Sequence, residues 1–378
     1  MGTKKISVNE IKIKNRQMIY QYIRSHGAVS KQDIVVALQL SLPTVTQNLE
    51  YLKNQGLIED SEQIKNTGGR NATAYTCASQ AKMAVGVNLT VHHMNAVAVD
   101  LSGNVVKLVK ERIRFNLEDE AYLKRLGEVV EQVKTEANIS DENLLGVGIS
   151  VPGIISDDGN TVDYGLTLGF TGKKKEEIAK YIPYESRLVH DSYAAGYMET
   201  WDNHRGQNAF YISLNNSVGG AVIIDGEVYG GDTQKGGEIG HMTVVPQDGE
   251  MCYCGKRGCF DTVCKAGNLD QYTDGNLEEF FQCLRAGDEK AKTLWDRYLD
   301  DLSMAIHNIR MLFDTEIILG GYVGTHIGEY MSELCERVNE RDPFNDDANE
   351  FLSICRYKVE ASAAGAAAFF IDEFMNDI

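Results

Sequence analysis

Hydrophobic positions recur at helical spacing through the first sixty residues. Met18, Ile19, Tyr22 and Ile23 fall on one face of a segment over 13–25, which His26 and Gly27 end. Ser30 precedes Lys31-Gln32-Asp33 and reads as the N-cap of a second helix carrying Ile34, Val35, Ala37 and Leu38. After a short turn at Gln39-Leu40, Ser41 opens a third helix, with Pro43 tolerated in its first turn. Val45, Leu49 and Leu52 form its buried stripe, and Gly56 closes it. Two short helices joined by a tight turn predict a helix-turn-helix, whose second helix can enter the major groove of DNA. There Thr44, Thr46, Gln47 and Asn48 lie off the apolar stripe. With Ser41 they give a polar face near a helix N-terminus, where phosphates and base edges are usually reached. The runs at 57–59 and 74–76 flank a polar loop and read as strand, turn, strand: a wing. Arg70 follows Gly68-Gly69 at its tip, within reach of a minor groove or a phosphate. A small helical module for protein contact is the weaker alternative.

From Met83 the pattern changes. Apolar, β-leaning runs at 84–89, 95–100 and 105–109 predict a meander, punctuated by Gly103-Asn104. A long helix over 118–137 places Leu123, Leu126, Val130 and Val133 on one face, and a buried strand over 145–151 ends in Pro152-Gly153. A second such unit begins near Ala209, with strands at 210–214 and 219–224 and a hairpin turn at Asp225-Gly226. It continues through a helical stretch over 277–313, a strand at 316–319 and an Ala-rich helix over 362–374. This order predicts an α/β body of two similar lobes with a cleft between them. The expected boundaries are a head over 1–80 and a body over 81–378.

Charge strengthens the division. The 378-residue chain carries a net −18, which alone argues against nucleic acid, but residues 1–80 hold ten Lys/Arg against six Asp/Glu. A basic segment on an acidic chain suggests a separate nucleic-acid-binding module. No apolar run approaches the roughly 18 residues of a membrane helix, and the polar, basic start lacks the apolar core of a secretory leader. A soluble cytoplasmic protein with no membrane partner is expected.

Among eight cysteines, Cys252, Cys254 and Cys259 lie within eight residues, and His241 stands just upstream. One imidazole and three thiols match a four-coordinate zinc site, and soft thiolates favour zinc over magnesium or calcium. Protein ligands at all four positions leave none for a reactive water, so the expected Zn2+ is structural. A chance cluster of reactive thiols is the alternative.

Gly219-Gly220-Ala221-Val222, Gly236-Gly237-Glu238-Ile239-Gly240-His241 and the loop over 252–259 together resemble the ROK family of repressors, open reading frames and sugar kinases. Val151-Pro152-Gly153, His190-Asp191 with Ala194-Ala195-Gly196, and Leu319-Gly320-Gly321 follow in the family's order. The resemblance implies an actin/hexokinase-like (ribonuclease H-like) fold of two lobes. It also implies sugar binding by Glu238, His241 and Asp191, with His190 beside them and Gly153 shaping the wall. Carboxylates suit this, since they accept from vicinal hydroxyls.

The departures bear on function. Where family kinases carry an Asp-x-Gly-Gly-Thr phosphate loop, this chain reads Asn88-Leu89-Thr90-Val91; a second loop, Gly-Thr-Gly, reads Asn215-Asn216-Ser217. Phosphoryl transfer rests on positioning and charge stabilisation around the phosphates, so both losses predict a non-enzyme in which Asp191 is vestigial as a base. His190 replaces an Asn, Tyr164-Gly165-Leu166-Thr167 stands near an Asn-Leu-x-Trp segment, and Asp261 replaces a Glu. The resulting expectation is a sugar-responsive transcriptional regulator, a repressor of carbohydrate genes. Its expected partners are operator DNA, a sugar or sugar derivative, and a second or further copy in a homodimer or tetramer. A sugar kinase with a fused head and a zinc-dependent scaffold without a small ligand are the alternatives.

Overall fold

A computed structural model describes residues 8–64, 72–201, 208–358 and 360–378 of the chain. In the head, α1 (Val8–His26) leads to β1 (Val29–Ser30), α2 (Lys31–Leu38) and α3 (Leu42–Asn54). Short-range caps set these boundaries. Ser30 Oγ accepts from the Asp33 N–H at 3.2 Å while the Asp33 carboxylate accepts from the Ser30 N–H at 2.9 Å. Gln39, at φ 52°, turns the chain out of α2. Ser41 Oγ then accepts from the Thr44 N–H at 3.3 Å and starts α3, with Pro43 in its first turn. β2 (Ile58–Ile64) and β3 (Ala72–Cys77) pair antiparallel as the wing, and β1 adds to β3 on its other side. A two-residue strand carries no periodicity, which is why β1 escapes the sequence pattern. The loop over 65–71, with Arg70, lies outside the described residues.

One expectation for α3 is corrected. Asn48 is buried, and its Nδ2 donates to the Thr44 carbonyl at 2.8 Å. It stands three residues after Val45 and four before Leu52, so helical geometry turns it toward the stripe those residues form. Gln47 and Ser41 are exposed, and Thr44 and Thr46 are half-buried.

The body contains two five-stranded sheets among the described residues. In the first lobe β4 (Met83–Leu89), β5 (His93–Asp100) and β6 (Val105–Arg112) form an antiparallel meander. After α4 (Glu120–Glu136), β7 (Leu144–Val151) runs parallel to β4. A two-stranded ribbon, β8 (Ile154–Ile155) with β9 (Val162–Tyr164), and α5 (Lys175–Ile178) follow. β10 (Ser186–His190) then pairs parallel with β7 and feeds directly into α6 (Asp191–Trp201).

The second lobe repeats this plan. β11 (Ala209–Leu214), β12 (Val218–Ile224) and β13 (Glu227–Val228) form a meander. α7 (Phe260–Cys264), α8 (Gly267–Asp270), α9 (Leu277–Arg285) and α10 (Glu289–Phe313) follow. The helical stretch expected over 277–313 is thus two helices, because Asp288 caps a fresh start by accepting from the Ala291 N–H at 2.9 Å. β14 (Glu316–Gly320) runs parallel to β11. After α11 (Gly321–Ile327) and α12 (Met331–Asn339), β15 (Leu352–Ile354) pairs with β14, and α13 (Ala361–Asp377) closes the chain. Orders β6-β5-β4-β7-β10 and β13-β12-β11-β14-β15 are the same topology twice. Each lobe's last helix crosses to the other lobe's sheet: α6 packs on β11 and β12, α13 on β4 and β7, and the two helices pack on each other.

Composition explains how α13 fits there. The alanines and Gly365 of its first half let the helix backbone come close to the backbone of its neighbours. A Cβ on Gly365 would overlap the Ala194 carbonyl of α6, and one on Gly86 of β4 would overlap the Ala363 carbonyl. Gly365→Ala is therefore expected to destabilise the fold by about 2 kcal/mol, the typical scale of core overpacking; a denaturant midpoint unchanged from the parent would refute this packing.

Head and body share apolar contacts rather than a bare linker. Ile19, Tyr20 and Ile23 belong to the same buried cluster as Val97, Tyr197, Met198, Ile371 and Met375. Gln17 Nε2 donates to the Asn376 carbonyl at 2.7 Å, and the Arg24 guanidinium lies 4.5 Å over the Trp201 ring. α6 therefore begins in the cleft at Asp191 and ends against the head.

Candidate functional site: an interlobe cleft beside a Cys3His cluster

Strand ends and helix starts supply the cleft, as is usual for α/β sheets. Gly153 follows β7, His190 ends β10, Asp191 starts α6, and Glu238 enters a 3-10 turn over Ile239–His241. All five residues singled out for ligand binding, Gly153, His190, Asp191, Glu238 and His241, line one cavity with Tyr164, Thr167, Ser217 and Tyr253.

His190 is the centre of its polar network. The Tyr193 N–H donates to His190 Nδ1 at 3.4 Å, which leaves the ring proton on Nε2, 3.4 Å from Glu238 Oε1. Burial works against charge on His190, yet the Glu238 hydrogen bond and the nearby Asp191 carboxylate carry its pKa above the ordinary histidine value. Asp191 Oδ1 accepts from the Ser192 N–H at 2.7 Å, and burial pushes this carboxyl up. Burial works the same way on Glu238, but the hydrogen bond from His190 and the charge of His190 and His241 hold it below its usual value. Two carboxyls and two imidazoles around a small polar hollow form a set of acceptors and donors suited to vicinal hydroxyls.

His241 belongs to two environments. Its Nδ1 is 3.8 Å from Cys252 Sγ, while its Nε2 is 3.3 Å from the Tyr253 hydroxyl and 4.0 Å from Glu238 Oε2. Cys254 and Cys259 sulfurs are 3.7 Å apart, and one ligand atom from each of His241, Cys252, Cys254 and Cys259 lies within 4.8 Å of every other. Tetrahedral metal–sulfur bonds of about 2.3 Å would separate sulfurs by about 3.8 Å, so the spacing fits a Cys3His metal-binding group. The loop is pre-shaped for it. The Cys252 N–H donates to the Lys256 carbonyl at 2.8 Å and the Gly255 N–H to the Cys252 carbonyl at 2.9 Å, with Gly255 at φ 85°. Burial and the neighbouring thiols push Cys259 up to about 12, so three thiolates held this close need a cation to offset their charge. Asp261, two residues on, accepts from the Val218 N–H at 2.7 Å and ties the loop to β12.

Tyr253 went unnoticed in the sequence because it sits between two cysteines and reads as loop filler. Its ring meets His241 edge-on at 5.1 Å, and it lines the cleft together with Thr167.

On the other side of Asp191 lies a second cavity of about 50 Å3, bounded by Asn88, Thr90, Asn215, Ser217, Tyr322 and Lys358. A space of this size holds a few water molecules. Asn88 Oδ1 accepts from Ser150 Oγ at 2.9 Å, and Asn215 Oδ1 accepts from the Tyr322 N–H at 2.8 Å. Both side chains are committed to the protein itself, and Tyr322 and Thr90 line this cavity from the two lobes.

A model of the ROK family matches residues 84–373. The chain belongs to the ROK family. Among curated ROK relatives, the xylose repressor of Caldicellulosiruptor bescii is 22% identical, with 96% of each chain covered. A crystal structure of a ROK family transcriptional regulator, described as a homolog of the E. coli MLC protein, superposes with a TM-score of 0.73 at 22% identity, covering 97% of both chains. The ROK hexokinase from Thermus thermophilus reaches 0.61 at 22% identity, over 78% of this chain and 100% of its own. The regulator's fold thus spans head and body together, whereas the hexokinase covers a share of this chain comparable in size to the body. Among the described residues no helix is long and apolar enough to cross a membrane.

Proposed function

We propose that this ROK protein is a sugar-responsive transcriptional repressor of carbohydrate genes, with Glu238, His241, His190 and Asp191 binding the effector and Gly153 shaping the wall. The observation that carries the reading is α6, a single helix that starts in the polar cleft and ends under the DNA-binding head. A ligand that binds one lobe arrangement better than another shifts the population toward it, and α6 and α13 hand that shift to α1. The regulator-like extent of the match and the xylose repressor relative support the same assignment. On this reading the Cys3His group holds a structural zinc, whose role is to fix His241 and the Glu238 turn. A cytoplasmic homodimer or tetramer would present two heads to a pseudo-palindromic operator, one turn of DNA apart or a multiple of it.

DNA contact is assigned to Ser41, Thr44, Thr46 and Gln47 on α3 and to Arg70 in the wing. Arg70→Ala is expected to weaken operator binding about tenfold and to reduce the salt slope of log Kd by about one. Unchanged affinity in a gel-shift titration would remove Arg70 from the interface.

A sugar kinase with a fused head is the second reading, favoured by the hexokinase match and by Asp191 in place. Against it stand the side chains of Asn88 and Asn215, which are committed to internal hydrogen bonds. No sugar-dependent ATP consumption is expected over a panel of hexoses and pentoses; turnover with any of them would favour the kinase.

A further inference from the structure

The inner cavity opens into a much larger groove. Ile154, Tyr164, Glu238 and His241 line both, so the two are one continuous surface. The inner part is about 40 Å3 and the outer about 880 Å3. The inner part alone is too small for a sugar ring, so a saccharide bound by Glu238 and His241 extends into the outer groove.

The outer groove has its own walls. One is the β8–β9 ribbon with its turn, which contributes Ile154, Asp157, Asp163 and Tyr164. The facing wall is the segment Gly231 to Lys235 of the second lobe. Gln234 Nε2 donates to Asp157 Oδ1 at 2.9 Å and spans the two. Tyr164 is 43% exposed, so part of its ring is open to a partner. An aromatic face beside carboxylates and an amide suits a sugar, which has an apolar C–H face and a hydroxyl edge. The charge balance narrows the class. Asp157, Asp163, Asp232 and Glu238 face one cation, Lys235. That excess of negative charge disfavours phosphorylated sugars and uronic acids.

We propose that the effector is a neutral di- or oligosaccharide, with its terminal residue held by Glu238 and His241 where the two cavities meet and the next residue in the outer groove against Tyr164. The proposal rests on the reading that the cleft binds a saccharide. Its test is calorimetric titration of the full-length, zinc-loaded protein with matched pairs: xylose and xylobiose, glucose and cellobiose, N-acetylglucosamine and chitobiose, and glucose 6-phosphate. At least one disaccharide is expected to bind tenfold or more tightly than its own monosaccharide, and glucose 6-phosphate to bind more weakly than glucose. In Asp163→Ala and Tyr164→Ala, each checked for an unchanged melting temperature without ligand, the ratio of disaccharide to monosaccharide affinity is expected to fall at least fivefold. Monosaccharides binding as well as their disaccharides, a preference for the phosphate, or a ratio untouched in both variants would overturn the proposal while leaving the cleft assignment standing. Binding of no saccharide at all would overturn both.

Discussion

Cys259→Ser is expected to abolish zinc binding by the Cys3His group, and with it the effector response. Cys259 is fully buried, with its sulfur 3.7 Å from Cys254 Sγ and 3.8 Å from the His241 carbonyl. It also stands at the N-cap of α7, one residue before the helix that carries Asp261 and its bond to β12. Serine offers a weaker, harder ligand, and a soft metal held by three thiolates discriminates against it. Structural zinc sites contribute to folding outright, at about 10–16 kcal/mol of apparent binding energy in small fingers. Here the surrounding lobe has its own core, so the expected loss is smaller, about 4 kcal/mol, or roughly 5 °C in melting temperature for a chain of this size. Elemental analysis should fall from one zinc per chain to near zero. A variant that keeps a full zinc equivalent and its melting temperature would show that Cys259 is not a ligand.

Glu238→Ala is expected to raise the effector Kd by a factor on the order of 100 while leaving DNA binding by the unliganded protein in place. Glu238 stands between His190 and His241, at 3.4 and 4.0 Å, with most of its side chain out of solvent. A carboxylate accepting from two hydroxyls makes two charge-assisted hydrogen bonds, each worth roughly 1.5–3 kcal/mol, and 1.4 kcal/mol is a tenfold change in Kd. Removal of the carboxylate also leaves the His190 Nε2–H without its acceptor. The head lies at the far end of α6, so its DNA face should be unaffected. Parent-like effector affinity by calorimetry would move the binding site away from Glu238.

The parts legible in the sequence are those governed by neighbours along the chain. Ser30 and Ser41 announced α2 and α3 because an N-cap acts over three residues, and Asp225-Gly226 announced a hairpin because its turn requires left-handed backbone at both positions. The Cys3His cluster was legible from residue type, since three thiols in eight residues have few other uses. Strand order was not read from periodicity. Apolar runs at 84–89 and 210–214 state that a strand is buried and leave its partner open, so the order of elements gives two similar lobes but not the strand order within each. The crossing of α6 and α13 onto opposite lobes was likewise invisible, although the run of alanines in α13 carries the reason. The ribbon of β8 and β9 passed unnoticed because two- and three-residue strands have no measurable alternation, and with it went Tyr164 as a wall of the outer groove. Asn48 misled because its polarity suggested a DNA face while its helical position turned it inward.

The central claim is that one cleft and one head are energetically linked. Fluorescence anisotropy with labelled DNA from upstream of the protein's own gene, titrated with full-length zinc-loaded protein with and without each saccharide of the panel, tests it most directly. Sequence-specific, salt-sensitive binding is expected, with at least one saccharide shifting the DNA Kd tenfold or more, and that shift absent in Glu238→Ala. Tight DNA binding that no saccharide alters, or a saccharide shift that survives in Glu238→Ala, would contradict the account.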